Sequence, residues 1–155
     1  MKLAQIQMHV TADKAANLRH AEDLLRSVRG ADMAILPEMF CCPYDNACFR
    51  AYGEPEGGPA YQMLSRAARE LNLWLVGGSL PELDGNKIYN TAYVFDPQGR
   101  YVTRHRKMHL FDIDVQGGQS FRESATLSPG NDITLFDTPY GRIGLCICFD
   151  LRFEA

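Results

Sequence analysis

The sequence predicts a layered α/β domain, and three observations carry that expectation. Seven short apolar or alternating runs read as strands. Two longer segments carry apolar residues at helical spacing. The two kinds are mixed along the chain, in the order β-α-β-α-β-β-β-loop-β-β, rather than segregated or strictly alternating. At 155 residues the chain has a one-domain length. A chain of about 150 residues buries about 70% of its unfolded surface, enough for a core without disulfides or metals.

Each element follows from its residues. Lys2 to His9 sets Leu3, Gln5, Gln7 and His9 against Ala4, Ile6 and Met8, a period of two. Asp13 to Arg29 carries Ala16, Leu18, Ala21, Leu24, Leu25 and Val28 at helical spacing, with Gly30 as a stop. "ADMAILPE" is a short apolar strand broken by Pro37. Residues 39–58 form a loop rich in Cys, Pro, Tyr and Gly, and Pro59 opens a second helix running to Leu71. "LWLVGGSL" reads as one buried strand. "KIYNTAYVFD" and "RYVTRHRK" flank the turn "DPQG". Residues 108–130 form a polar, Gly-rich loop, and "DITLFD" and "RIGLCICF" are strands around "TPYG". Loops longer than about 12–15 residues are commonly functional or disordered.

Composition excludes several function classes. Hydrophobic content of 46% and charged content of 23% are ordinary for a globular chain. The net charge of -3, without a basic block, argues against nucleic acid as a partner. No run approaches the roughly 20 apolar residues needed to span a membrane. The N-terminal stretch is too interrupted for a secretory signal, so a cytoplasmic location is expected. Five cysteines, at 41, 42, 48, 146 and 148, are an odd number without a CxxC pair, which favours reduced thiols over a disulfide framework or a zinc site. His105 and His109 stand four apart, but where a strand runs into a loop, so they make a poor metal pair.

Three reactive side chains fall at the carboxyl ends of predicted strands: Glu38, Lys107 and Cys148. In open α/β sheets that is where ligands collect. A thiol is a nucleophile as its thiolate, a nearby ammonium stabilises thiolate and oxyanion, and a carboxylate can carry the proton to a leaving amine. Such a set can run acyl transfer through a thioester. Each residue also has a plainer reading. A strand cysteine is usually packing, Glu38 can be a solvated loop carboxylate, and Lys107 can be one more surface charge in "RHRKMH". Alternation puts Cys146 and Cys148 on one face and does not separate them.

"LPEMF", "HRKMHLFDID" and "GLCICFDLRFEA" resemble the three signature segments of the nitrilase superfamily, the carbon–nitrogen hydrolases. They stand in the family's order across nearly the whole chain. "LVGGSLPE", "KIYNTAYVFDPQGR" and "FRESATLSPG" are similar to the omega-amidase branch. The resemblance implies Glu38 as general base, Lys107 as oxyanion partner and Cys148 as nucleophile, since the family sets its nucleophile directly before an aromatic residue and Asp. Cys146 falls where the family usually carries a small residue, which implies packing. Glu123, in "FRES", matches a second family glutamate that organises the pocket, and the backbone N–H of Phe149 is the implied second oxyanion donor. The implied substrates are monoamides of short dicarboxylic acids, such as 2-oxoglutaramate or succinamate, and no metal or cofactor is needed. Arg122 and Arg152 are candidates, by type, for the substrate carboxylate, with a structural ion pair the favoured role for Arg152.

The implied fold is an α-β-β-α sandwich, and the implied assembly is a homodimer or larger. Family domains continue beyond the "DLRF" segment. The expectation is therefore a single domain over 1–155, truncated after the nucleophile segment, with Ala155 where the next helix would begin. Two alternatives follow: an inactive fragment that acts by oligomerisation or interaction, or a hydrolase of nitriles or N-carbamoyl amines.

Overall fold

A computed structural model describes residues 1–118 and 120–154. Gln119 and Ala155, the latter expected at the start of a further helix, lie outside the described residues. The central element is a six-stranded mixed sheet. Strands β1 (Leu3–Gln5), β2 (Met33–Ile35) and β3 (Trp74–Val76) pair in parallel. The long strand β5 (Lys87–Phe95) runs antiparallel to β3 and, further along the same edge, to β4 (Leu80–Asp84). β6 (Tyr101–Arg106) takes the other edge of β5.

Helix α1 (Lys14–Ser27) starts at Asp13, whose side chain accepts the Ala16 N–H at 2.9 Å. Helix α3 (Pro59–Leu71) has the predicted bounds, with Pro at its first position and Asn72 left-handed at its end. Both cover one face of the sheet: Ala21, Leu25, Met63, Leu64 and Ala67 pack on Ala34, Leu36, Leu75, Tyr93 and Phe95. The alternate residues of the same strands face the other way. There Met33, Val76 and Val94 meet Phe136, Ile143 and Leu145 of an antiparallel hairpin, β9 (Leu135–Thr138) and β10 (Gly141–Gly144), and Trp74 stacks on Phe136. The described residues thus form three layers: helices, sheet and hairpin.

Five expectations are corrected. The loop 39–58 contains helix α2 (Asn46–Tyr52), capped by Asp45, and its Phe49 is buried with Met39, Cys42, Ile88 and Leu127 in a second small core. "LWLVGGSL" is two strands, because the chain turns at Gly77–Gly78 and Leu80–Asp84 pairs separately with β5. The segment 108–130 is not structureless: β7 (Asp112–Asp114) pairs with β8 (Ser120–Arg122), and a 3₁₀ turn spans Glu123–Ala125. The last strand ends its pairing at Gly144, and Cys148 opens a 3₁₀ turn to Arg152 instead of lying in the strand. The first strand is likewise shorter than its alternation, since only Leu3–Gln5 finds a partner in β2.

Candidate active site

Glu38, Lys107, Glu123 and Cys148 meet at one end of the sheet. Glu38 follows β2 at a sharp turn. Met39 takes a left-handed φ of 51°, and its N–H donates to Ser79 Oγ at 3.0 Å. The turn fits only because Gly78 passes beneath it. At a φ of +58°, a Cβ on Gly78 would sit 2.1 Å from the Pro37 carbonyl oxygen. The amide of Asn90 on β5 then donates to Glu38 Oε1 at 2.7 Å.

Lys107 leaves the end of β6. Its N–H donates to the Asn90 carbonyl at 2.9 Å, and its own carbonyl accepts the Gly130 N–H at 2.9 Å. The side chain is fully buried. Its Nζ donates to Glu38 Oε1 at 3.1 Å and lies 3.0 Å from Glu123 Oε2. Burial alone would lower the ammonium's pKa, but the charges and hydrogen bonds of Glu38 and Glu123 outweigh it and raise the value. Glu123, also fully buried, accepts hydrogen bonds from the Tyr44 hydroxyl and the Phe111 N–H. One cation therefore sits between two carboxylates that are each fastened by a further donor.

Cys148 follows the hairpin with a left-handed φ of 50°, a conformation that costs a non-glycine residue on the order of 1–3 kcal/mol. Its thiol shares a cavity wall with Glu38. Although the residue is exposed, partial desolvation first, and then the Glu38 charge, raise the thiol's pKa against the opposing pull of Lys107. A thiol held in its neutral form needs a base to react, and Glu38 is in place to be one. By contrast, Cys41 and Cys42 lie buried in the core, where burial pushes both thiols up to about 12.

A cavity of about 600 Å³ opens over this cluster, lined by Glu38, Tyr44, Phe111, Cys148, Phe149, Leu151 and Arg152. A larger depression of about 750 Å³ between β1, α1 and Pro37 has no ionisable lining. Size alone would select the second, and chemistry selects the first. Phe149 packs edge-on against Phe111 at 5.2 Å and walls the cavity.

Of the sequence candidates, Glu38, Lys107, Glu123, Cys148 and Phe149 converge. Arg152 joins them at the cavity, exposed, and among the described residues no carboxylate lies within 4.0 Å of it, so its favoured ion pair is not formed. Arg122 is not brought in: it is exposed on β8, where its carbonyl accepts from Asn46. Cys146, past the end of β10, is exposed rather than packed. Two residues were missed. Asn90 is the amide inside an otherwise apolar strand, a signal that was available. Tyr44 lies in an irregular loop that offers none. His105 and His109 both face Asp150.

A profile of the carbon–nitrogen hydrolase family matches residues 2–155. The chain is 47% identical over 154 residues to omega-amidase NIT2 of Danio rerio, covering 98% of this chain and 56% of that protein. It is 49% identical to omega-amidase NIT2 of Bos taurus, with the same coverage. Among solved structures it superposes on Saccharomyces cerevisiae Nit3, a member of branch 10 of the nitrilase superfamily, with a TM-score of 0.86 and 38% identity, over 99% of this chain and 57% of that one. The chain spans about half the length of the curated relatives it matches.

Proposed function

The chain belongs to the carbon–nitrogen hydrolase family, and from that premise we propose that it is a thiol amidase of the omega-amidase kind. It cleaves the terminal amide of short dicarboxylic acid monoamides, succinamate or 2-oxoglutaramate, to acid and ammonia. The observation that carries this reading is the cavity whose lining holds both Cys148 and Glu38, with Lys107 bridging Glu38 to Glu123.

The steps follow from the placement of each group. Glu38 takes the Cys148 proton as Sγ attacks the amide carbon. Negative charge gathers on the former carbonyl oxygen, and the Lys107 ammonium and the Phe149 N–H are its donors. Glu38 returns the proton to the leaving nitrogen, the C–N bond breaks, and ammonia departs from a thioester. Glu38 then takes a proton from water, the hydroxyl adds to the thioester carbon, and the C–S bond breaks to give the acid and restore the thiol. These steps need no metal or cofactor. Arg152, exposed and without a carboxylate partner among the described residues, is the group for the far carboxylate of the substrate. Glu123 is not a proton carrier here. Its two further donors hold it as a fixed counter-charge that aims Lys107.

Five free thiols suit a reducing compartment, and we place the chain in the cytoplasm. Among the described residues no helix is long and apolar enough to cross a membrane. A second reading, an inactive chain that acts by association with itself, is favoured by exposed Ile133, Leu135, Leu151 and Phe153. The deciding assay is ammonia release from succinamate by the chain and by Cys148→Ala. Release that vanishes with the thiol supports the amidase. Silence on succinamate, on nitriles and on N-carbamoyl amines, together with a concentration-dependent oligomer, supports the second reading.

A further inference from the structure

Two residues beyond Cys148, Asp150 is buried and surrounded by nitrogen. Its Oδ2 accepts the Ile147 N–H at 3.0 Å and lies 2.9 Å from His105 Nε2. Its Oδ1 accepts the Met108 N–H at 3.0 Å and the His109 N–H at 2.7 Å, and lies 3.1 Å from His109 Nδ1. These donors come from two chain segments. One, 105–109, brackets Lys107. The other, 147–150, brackets Cys148. A single carboxylate therefore sets where the thiol stands relative to the ammonium.

His105 extends the fastening to the third layer. It is buried on β6, and its other ring nitrogen lies 3.1 Å from Thr134 Oγ1, just before β9. The Thr134 hydroxyl in turn reaches the Arg104 carbonyl at 3.2 Å. An ionised carboxylate only accepts, so the His105 nitrogen facing it is the one that carries a proton. Cys148 needs this support. A left-handed non-glycine residue persists only where its surroundings over-determine it. Neither His105 nor Asp150 lines the cavity that holds Cys148, so neither touches a bound substrate there.

We propose that Asp150 and His105 are positioning residues: the His105 Nε2–H···Asp150 bond and the backbone donors around it lock the Cys148 turn against the strand end that carries Lys107. The inference rests on Cys148 as the nucleophile of the proposed amidase, but its test does not need turnover. In a Cys146→Ser background, the pH profile of Cys148 alkylation by iodoacetamide is followed by mass spectrometry. With the lock intact, burial and Glu38 hold the thiol above its ordinary range. His105→Leu should free the turn, move the profile midpoint down in pH and raise alkylation at neutral pH severalfold. His105→Gln, which keeps an N–H in reach of Asp150, should retain the parent profile. A cooperative melt confirms that each variant is folded.

An unchanged profile in folded His105→Leu would overturn the proposal. So would a His105→Gln profile displaced as far as that of His105→Leu, since packing alone would then explain both. If His105→Leu does not fold, ¹⁵N spectroscopy of the parent protein decides: a protonated Nε2 on His105 is required, and a bare Nε2 ends the argument. An intact lock in a chain that releases no ammonia would defeat the amidase reading while leaving this one standing.

Discussion

Lys107→Met tests the centre of the site. The substitution keeps the length of the side chain and removes its charge. Glu123, fully buried, keeps the Tyr44 hydroxyl and the Phe111 N–H but loses its only cation among the described residues. Glu38 is less affected, because its side chain is 23% exposed and Asn90 still donates to it. Stranding one partner of a buried pair costs about 3–5 kcal/mol. At about 2–4 °C per kcal/mol for a chain of this size, the melting temperature at neutral pH should fall by roughly 6–20 °C. The pH dependence has a definite sign. The folded pKa of Lys107 is raised above its ordinary 10.5, so its contribution is fully present below 10.5 and is lost as pH climbs through the higher folded value. The gap between parent and variant should hold from neutral pH to about 10 and shrink in stronger alkali. Adding Glu123→Gln should restore part of the loss, because the amide keeps an acceptor for Tyr44 without a stranded charge. Thermal denaturation followed by circular dichroism reads all three proteins. A Lys107→Met melt within about 2 °C of the parent at neutral pH would refute the buried ion pair.

Other perturbations reach the supports of the site. Gly78→Ala forces a Cβ onto the Pro37 carbonyl at a left-handed φ, and should destabilise by more than about 1 kcal/mol while displacing Glu38. Its melt and its Cys148 alkylation profile should both change, and a change in neither would mean that the Glu38 turn is not braced from below. Phe136→Ala removes the ring that stacks on Trp74 between sheet and hairpin, at a cost of about 3–5 kcal/mol. Hydrogen exchange should quicken across β9 and β10 first, with α3 protected longest.

What the sequence made legible follows from how many residues each signal spans. Pro59–Leu71 was read to the residue because apolar positions recur over several turns between a Pro start and a left-handed Asn72. α2 was not read because its seven residues bury only Phe49, too few for a period to show. β7 and β8 are three residues each, and their pairing with one another leaves no alternation to detect. The division at Gly77–Gly78 was hidden by apolar residues on both sides, although two glycines in a row are a turn signal. For the site, residue chemistry brought Glu38, Lys107 and Cys148 forward as strand-end groups, and the family resemblance assigned their roles and added Glu123 and Phe149. Asn90 and Tyr44 act across 52 and 79 residues of chain, a relation that only the folded backbone brings into view.

The left-handed turn at Cys148 sets stability and chemistry against each other at one position. Glycine would sit there more easily than any side chain, and alanine would inherit the same backbone cost as cysteine. A thiol-free control made with alanine therefore isolates the sulfur, whereas one made with glycine also relaxes the turn. For the same reason random drift, left to itself, has a downhill path from this cysteine toward glycine. In the proposed amidase, the thiol at this turn is kept by what it does and not by the fold that carries it.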